Sequence, residues 1–336
     1  MTTMSEYKRK EVSDEVLLEI HGLKTQFFTE DGVVKAVDGV DLTIHKGEIL
    51  GLVGESGCGK TITSLSILNL VPDPPGKIVA GEIIFKERDL LKISEKELRS
   101  IRGNEISMIF QDPMTSLNPV FKVETQILEN IKLHQDLEDE EALNQGIQML
   151  ELVGIPDASR RIHDYPHLFS GGMRQRAMIA MAMSCQPDLL IADEPTTALD
   201  VTIQAQILDL MKDLQDELNM AILYITHNLG VIADICDTVA IMYAGNIVEY
   251  SDVNTIFNNP THPYTRALLG SIPRMDRKLD RLEVIKGLVP NLITPPSGCR
   301  FHPRCTYATA LCSEEKPPNI EVNPSHNVLC HYATQI

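Results

Sequence analysis

The sequence is short of basic side chains: 30 lysines and arginines stand against 47 aspartates and glutamates, so the net charge is −17. This deficit argues against broad, sequence-independent binding of nucleic acid, which needs a basic surface. No apolar run reaches the roughly 18 residues of a membrane-spanning helix, and the polar stretch Met1–Glu15 lacks an apolar signal core. We therefore expect a cytoplasmic protein that does not span a membrane by itself and binds no nucleic acid.

Cysteine is sparse over most of the chain and concentrated near its end. Cys58, Cys185 and Cys236 are scattered, whereas the other four of the seven cysteines lie between residues 299 and 330. In a reducing cytosol such a cluster favours metal binding over disulfides. The 336 residues, 43% apolar and 23% charged, suffice for a substantial core and predict two domains or one large domain with an appendage.

A glycine-rich stretch supplies the strongest signal, Gly54-Glu55-Ser56-Gly57-Cys58-Gly59-Lys60-Thr61. It follows a short apolar run typical of a buried strand and precedes a helical pattern from Ile62 to about Leu70, which is the context of a phosphate-binding P-loop. The glycines let backbone N–H groups converge on phosphate oxygens, and the helix N-terminus adds partial positive charge. Lys60 would bind the β and γ phosphates, and Thr61 would offer a hydroxyl to Mg²⁺.

A hairpin is predicted ahead of this loop, with strands over Leu17–Phe28 and Val33–Ile44. Near its tip, Phe28 could stack on an adenine ring, an interaction worth roughly 1–3 kcal/mol. Val37 would be a second apolar contact with the base. Packing in the core is an equally good explanation of the phenylalanine.

Two later strands end in side chains suited to metal and water chemistry. The first is the β-rich run Ile106–Pro113, which a proline ends, and its Gln111 could reach a metal ion or a water molecule. The second ends in Asp193 and Glu194. Burial of two carboxylates is costly unless they are paired or bind a metal, so we assign Asp193 to Mg²⁺ and Glu194 to the orientation or deprotonation of a water molecule.

Three further signals lie between and beyond these strands. An amphipathic helical pattern covers Val123–Leu152, with an acidic interruption. The Ser170-Gly171-Gly172 step opens a helix and predicts a second anion site by the same N-terminal dipole. His227 follows the strand Ala221–Thr226, and its place after the other motifs favours a role in sensing phosphate.

Together these motifs resemble the ATP-binding subunits of ABC transporters over about residues 17 to 270. The P-loop alone is shared by many NTPases, but Ser170-Gly171-Gly172 makes the resemblance specific, and Gln111, Asp193-Glu194, Asp200 and His227 follow in the order of that family. The resemblance implies an α/β fold: a RecA-like P-loop core, an antiparallel β subdomain and a helical subdomain near residues 112–185. The whole ATP-binding domain would cover residues 1–272.

The resemblance also implies how the site works. ATP would contact Phe28, Val37, residues Gly54 to Ile62, Gln111 and His227; Mg²⁺ would be held through Thr61, Gln111 and Asp193; and Glu194, His227 and Gln111 would be catalytic. Two subunits would close head to tail over two ATP molecules. The signature residues Ser170, Gly171, Gly172 and Met173 would then touch the nucleotide of the partner, with Asp200 in the D-loop.

A narrower resemblance is to the oligopeptide/dipeptide importers. It rests on the segments Phe110–Pro119, Phe169–Arg176 and Thr261–Thr265. Met173 stands where glutamine is common in ABC proteins, and within this subfamily it is typical of one of two paired ATPases. We therefore expect a different chain as the second ATPase, two transmembrane permease subunits, an extracytoplasmic solute-binding protein, and a peripheral location at the cytoplasmic face of the plasma membrane.

The function implied is ATP hydrolysis that energises the import of di- or oligopeptides. Nickel and glutathione importers belong to the same group, so a related solute is the alternative. A soluble ABC ATPase acting outside transport is disfavoured by the acidic composition and the lack of a coiled-coil insertion. A scaffold that does not hydrolyse ATP is disfavoured because Glu194 and His227 are both present.

The tail from residue 273 to 336 is expected to be a separate extension. Its four cysteines have the spacing Cys-x5-Cys, Cys-x6-Cys and Cys-x17-Cys, without the close pairs of structural zinc sites; they are Cys299, Cys305, Cys312 and Cys330. Spacing alone leaves a metal or free buried thiols open. Related extensions carry an iron–sulfur cluster, so the resemblance implies a structural [4Fe–4S] cluster, with Zn²⁺ as the alternative and His302 or His331 as substitute ligands.

Overall fold

The computed structural model describes residues 13–111, 117–196, 200–271 and 285–335. In these ranges the strands are β1 (Val16–Thr29), β2 (Gly32–His45), β3 (Ile49–Val53), β4 (Gly76–Phe85), β5 (Arg88–Asp89), β6 (Ile106–Ile109), β7 (Leu189–Asp193), β8 (Ala221–Thr226), β9 (Thr238–Tyr243), β10 (Asn246–Asp252), β11 (Asn319–Asn323) and β12 (His326–Leu329). The α-helices are α1 (Lys60–Ile67), α2 (Glu95–Ile101), α3 (Val123–His134), α4 (Asp139–Leu152), α5 (Ala158–Arg161), α6 (Gly171–Met183), α7 (Val201–Leu218), α8 (Leu229–Ile235), α9 (Val253–Asn258), α10 (Pro263–Gly270) and α11 (Ala310–Glu314).

The predicted hairpin is the start of a four-stranded antiparallel sheet with the order β2-β1-β4-β5. Its strands pair from Val16↔His45 to Thr29↔Gly32 and bury apolar side chains such as Leu18 on the core side. The strand β4 pairs with β1 along its length, and its first residue, Gly76, lies opposite Phe27. This antiparallel sheet confirms the predicted β subdomain.

The second sheet has eight strands in the order β11-β12-β10-β9-β3-β8-β7-β6. The strands β9, β3, β8, β7 and β6 run parallel to one another. Every residue of β3, β7 and β8 is buried, as expected for parallel strands covered on both faces. Because β3, β6, β7 and β8 are parallel, the residues that follow them lie at one edge of the sheet. Ligands of such sheets bind at this edge, outside the carboxyl ends of the strands.

The helical part confirms the predicted subdomain, although its assigned first residues, 112–116, lie outside the described ranges. The pattern over Val123–Leu152 forms two helices, α3 and α4, because the chain turns where the acidic stretch interrupts it; Glu138 and Glu141 form a capping box at the start of α4. Ser94 and Glu97 form a capping box at the start of α2. Helices α3, α4 and α6 pack on one another.

The extension is joined to the core sheet, because β12 pairs antiparallel with β10 and β11 pairs with β12. Glu249 of β10 fastens this junction. Its buried carboxylate accepts the backbone N–H groups of Thr261 at 2.7 Å and His262 at 3.0 Å, and it lies 2.8 Å from Nε2 of His326. The assigned domain boundary at residues 272 and 273 falls outside the described ranges.

Among the residues that the structure describes, no helix is both long enough and apolar enough to cross a bilayer.

Candidate functional site

The glycine-rich loop connects β3 to α1, as its sequence predicts. Two of its glycines are required by close approach: a Cβ on Gly54 would overlap the carbonyl of Met242, and one on Gly59 would overlap the carbonyl of Ala36. Gly59 also has a φ of +113°, which favours glycine. No side chain caps the start of α1. The N–H groups of its first turn are therefore not occupied by a capping side chain and suit an anion.

Lys60 lies folded over this loop. Its Nζ donates to the backbone carbonyls of Gly54 at 2.9 Å and Glu55 at 3.2 Å, and only 6% of the residue is exposed. The neighbouring Thr61 is exposed, and its hydroxyl acts to lower the pKa of Asp193. The roles of Lys60 toward phosphate and of Thr61 toward Mg²⁺ stay predictions.

Asp193 ends β7 and is 1% exposed, yet its Oδ1 has no hydrogen-bond partner. Burial raises the pKa of this carboxyl, while the hydroxyl of Thr61 opposes the rise and the charge of Glu194 adds to it. A buried carboxylate oxygen without a partner is costly. An oxygen of this kind beside a hydroxyl fits a hard divalent cation, which prefers oxygen ligands.

Three residues distant in sequence form one network at the carboxyl ends of the strands. Oε2 of Glu194 accepts from Nε2 of Gln111 at 3.1 Å, and Oε1 lies 3.0 Å from Nδ1 of His227. The side chain of Glu194 is 13% exposed and that of His227 is 64% exposed. The network therefore holds a carboxylate in one orientation at a surface that a substrate can reach.

The signature stretch is presented at the surface. The exposed Ser170 caps the N-terminus of α6, and its Oγ accepts from the N–H of Met173 at 3.2 Å. A Cβ on Gly171 would meet nothing within 4 Å, whereas one on Gly172 would lie 3.2 Å from Ile203. Helix α6 packs on α3, α4 and β6. The start of α6 therefore lies at the surface of the helical part of the molecule.

The remaining predicted contacts differ in exposure. Phe28 is 51% exposed and can meet a ring, whereas Val37 is fully buried in the apolar core, where a base does not reach its side chain. The assignment of Val37 to adenine therefore stays a prediction that its burial disfavours. Ile62 is half-buried in α1. Asp200 caps α7 by accepting from the N–H groups of Thr202 and Ile203 at 3.1 and 3.0 Å.

Comparison with known proteins agrees with this geometry. The family described as ABC transporter matches residues 37–197, and the oligopeptide/dipeptide transporter C-terminal region matches residues 248–312. The chain is 52% identical over 323 residues to y4tR of Sinorhizobium fredii, named a probable peptide ABC transporter ATP-binding protein, with 96% of each chain covered. This chain belongs to the ATP-binding subunits of ABC transporters, in the oligopeptide/dipeptide branch.

Two more relatives of this ABC subunit come from Bacillus subtilis. The oligopeptide transport ATP-binding protein OppD is 51% identical over 93% of this chain and 87% of its own. The dipeptide transport ATP-binding protein DppD is 49% identical, with 94% of both covered. Among solved structures, the dimeric cassette MJ0796 bound to ADP and Pi has a TM-score of 0.63 at 23% identity, covering 70% of this chain and 99% of its own. That likeness shows the fold.

Sequence reasoning missed two contacts of the ABC subunit's site. The buried side chain of Gln175 in α6 donates to the carbonyl of Pro195, so the signature helix is tied to the loop after β7. The hydroxyl of Tyr264 accepts from the N–H of Glu55 at 3.1 Å. Both residues lie in segments that we assigned to a family by resemblance alone, and such a motif carries no sign of its distant partner.

The four cysteines of the extension line one small, partly open cavity of about 20 Å³, which His302 and His331 also line. All seven cysteines are free thiols. Burial raises the pKa of Cys299 to about 11 and raises those of Cys305 and Cys330. Among the described residues, no group of three or more histidine, cysteine or acidic side chains is arranged to hold a metal ion. The metal prediction is therefore not confirmed.

Proposed function

We propose that this ABC subunit hydrolyses ATP at the edge formed by the P-loop, Asp193 and the Gln111–Glu194–His227 network, and that hydrolysis energises the import of di- or oligopeptides. The observation that carries the proposal is the network itself. Gln111 and His227, each assigned separately from sequence, both lie within hydrogen-bond distance of the carboxylate of Glu194. The names of the relatives support the peptide as solute.

In this proposal the triphosphate replaces the carbonyl groups that Lys60 contacts in the free chain. Backbone N–H groups from Gly54 to Thr61, together with Ile62 at the first turn of α1, surround the phosphates. The half-exposed ring of Phe28 stacks on adenine. The aromatic contact adds roughly 1–3 kcal/mol, and the phosphate contacts set the register of the nucleotide.

Asp193, Thr61 and Gln111 would hold Mg²⁺, and the partnerless Oδ1 of Asp193 is the feature that fits it. The ion would neutralise charge on the β- and γ-phosphate oxygens. Glu194 would accept the proton of the attacking water. The contacts with Gln111 and His227 keep its carboxylate aimed before substrate arrives, which lowers the entropic cost of the reaction.

The exposed signature supports a head-to-tail dimer. Ser170, Gly171, Gly172 and Met173 would contact the ATP held by the partner's P-loop, and Asp200 would lie at the interface. The open space at Gly171 and the exposed position of Ser170, whose side chain caps α6, leave room for a phosphate group. We propose a second, different ATPase chain as the mate, on the strength of Met173.

In the proposed transporter, the ATPase pair would bind two permease subunits. These subunits would receive solute from an extracytoplasmic binding protein. This subunit would then be peripheral, at the cytoplasmic face of the plasma membrane. Support comes from the match of the C-terminal region to oligopeptide/dipeptide transporters over residues 248–312.

For the extension we propose a [4Fe–4S] cluster held by Cys299, Cys305, Cys312 and Cys330. All four line one cavity, yet they are not drawn together as a single ion requires. A zinc ion needs each sulfur at about 2.3 Å, whereas a cluster binds thiolates that stand further apart. The cluster would cross-link residues 299 to 330, and its binding would release protons from thiols whose pKa is raised.

The experiment that tests the catalytic proposal is Glu194→Gln in the full chain, with its mate and permeases present. Turnover should fall by roughly 10²- to 10⁴-fold, as for loss of a general base, while ATP still binds and closed ATPase pairs accumulate in size-exclusion chromatography. Glu151→Gln, at an exposed position of α4, is the matched control. Undiminished turnover in Glu194→Gln would refute the assignment.

A further inference from the structure

The extension reaches back to the P-loop through one arginine. Arg304 precedes Cys305 and ends a short 3-10 turn, His302–Arg304. Its Nη1 donates to Oε2 of Glu55 at 2.7 Å, and its Nη2 donates to Oε1 at 3.1 Å. This two-point pair has the geometry that makes arginine–carboxylate contacts strong and directional. The pair joins the cysteine-bearing segment to the second residue of the P-loop, 249 positions away.

The guanidinium is itself held from several sides. Its Nε donates to the carbonyl of Lys286 at 3.1 Å, its Nη2 lies 3.4 Å from the carbonyl of Ile285, and its Cζ stands 5.7 Å from the ring centroid of Tyr243. The side chain of Arg304 is 5% exposed. A buried arginine with this many partners has little freedom to leave its carboxylate.

An aromatic cluster supports the same contact from below. Tyr243, Tyr264 and Phe301 lie with ring centroids 4.6 to 5.4 Å apart. Tyr264 accepts the N–H of Glu55, and Phe301 belongs to the extension. Glu55 is thus held by its main chain and by its side chain. Such doubly held residues keep one conformation.

Because Glu55 lies in the P-loop, its ion pair with Arg304 can affect the phosphate site. Nζ of Lys60 already donates to the backbone carbonyl of Glu55 at 3.2 Å. If its carboxylate were released, it would be the nearest anion of this loop able to pair with Lys60, and it would compete with the phosphates for that ammonium. Arg304 holds this carboxylate by two hydrogen bonds and balances its charge.

We infer that Arg304 is a positioning residue for nucleotide binding. Through Glu55 it keeps Lys60 available for the triphosphate, so the extension sets the affinity of a P-loop in its own chain. The inference rests on the nucleotide site proposed above. It adds a role for the extension that works through an ion pair and does not depend on what fills the cysteine cavity.

The test is a double-substitution cycle in the full chain, read as the dissociation constants of Mg·ATP and Mg·ADP. Arg304→Gln should weaken Mg·ATP binding about tenfold, with a smaller effect on Mg·ADP, and should raise KM far more than it lowers kcat. In the Glu55→Gln background, Arg304→Gln should raise the dissociation constant of Mg·ATP by less than about threefold, because the competing carboxylate is gone. Arg304→Lys should retain part of the affinity.

Arg300→Gln is the matched control. Arg300 lies in the same extension and pairs with Asp38 and the carbonyl of Ala244, without touching Glu55. Its effect on affinity should be the same in both Glu55 backgrounds. Equal losses for Arg304→Gln in the two backgrounds, or no loss in either, would overturn the inference. Failure of the unsubstituted chain to bind Mg·ATP would overturn the nucleotide site itself.

Discussion

At the scale of single residues, Asp193 is the most telling. A carboxylate that is 1% exposed, with one oxygen lacking a partner, lowers the stability of the free chain. Natural proteins keep such groups where function needs them, because selection acts on activity as well as on stability. The cost at Asp193 is therefore best explained by a cation that arrives with the nucleotide.

We predict that Asp193→Asn stabilises the nucleotide-free chain by about 1 kcal/mol, because it removes a buried charge. The same change should abolish the added stability that Mg·ATP confers on the unsubstituted chain. Urea unfolding with and without Mg·ATP measures both effects. Asp209→Asn, on the exposed side of α7, should alter neither, and a full Mg·ATP response in Asp193→Asn would exclude the proposed magnesium role.

Glu194 combines an unfavourable backbone conformation with a side chain that the proposed reaction needs. Its φ is +48°, in the left-handed region that residues with a Cβ avoid, at a cost of about 1–2 kcal/mol. Glycine would relieve that strain but has no carboxylate. The N–H of Glu194 donates to the carbonyl of Ile225 in β8 at 2.9 Å. Sheet pairing thus maintains a conformation that aims the carboxylate at Gln111 and His227.

At the scale of elements, β3 is anchored at the end opposite to the P-loop. Glu48, fully buried just before β3, lies 3.0 Å from Nδ1 of His45 and accepts the N–H of that residue at 2.6 Å. It also accepts the hydroxyl of Thr238 in β9. One carboxylate therefore joins the β2–β3 turn to the neighbouring parallel strand, which steadies the base of the phosphate loop.

This anchor predicts a dependence on pH. The hydrogen bond to the Glu48 carboxylate raises the pKa of His45 above its ordinary value of 6.5. Protonated His45 is therefore favoured in the folded chain: its contribution is full below pH 6.5 and is lost as the pH rises through the higher, folded-state pKa. His45→Gln should cost up to about 1 kcal/mol at pH 6, a value limited by partial exposure, and less at pH 9.

The free energy of unfolding in urea at the two pH values measures this difference. His21→Gln, at an exposed position of β1, is the control and should show the same small effect at both. A loss in His45→Gln that is as large at pH 9 as at pH 6 would mean that the histidine acts by shape and not by charge.

At the scale of the whole molecule, the extension is part of the ATPase and not a pendant tail. It adds β11 and β12 to the core sheet, is fastened by His326 to Glu249, and reaches the P-loop with Arg304. Its cysteines therefore lie in a segment that contacts the P-loop. If a cluster cross-links this segment, its loss should lower the stability of the folded chain.

We predict that anaerobic purification yields about four iron and four sulfide per chain, with visible absorbance. Serine at any one of Cys299, Cys305, Cys312 or Cys330 should remove most of the iron and lower the midpoint of thermal unfolding by several degrees, because a cross-link is lost. Metal and sulfide analysis measures this. Cys185→Ser is the control, because Cys185 is buried and lies far from these four cysteines in the sequence. This variant should keep its full iron and sulfide content. Zinc, or no metal, in the unsubstituted chain would contradict the cluster.

The predictions that held rest on local chemistry. The strand–loop–helix around Lys60 and the hairpin before the P-loop are each encoded within a few neighbouring residues. The strands β11 and β12 were not predicted, because both are short and because β10, the strand that orders them, lies far back in the chain.

The sequence by itself determined the phosphate loop, the two carboxylates after β7 and the family, because glycine conformation, helix starts and strand ends depend on residues close in the chain. Only the tertiary structure decided which distant groups meet. Gln175 reaches Pro195 and Arg304 reaches Glu55 because separate strands and turns bring them together. No local pattern encodes such a contact, since its free energy comes from desolvation and geometry that exist after folding.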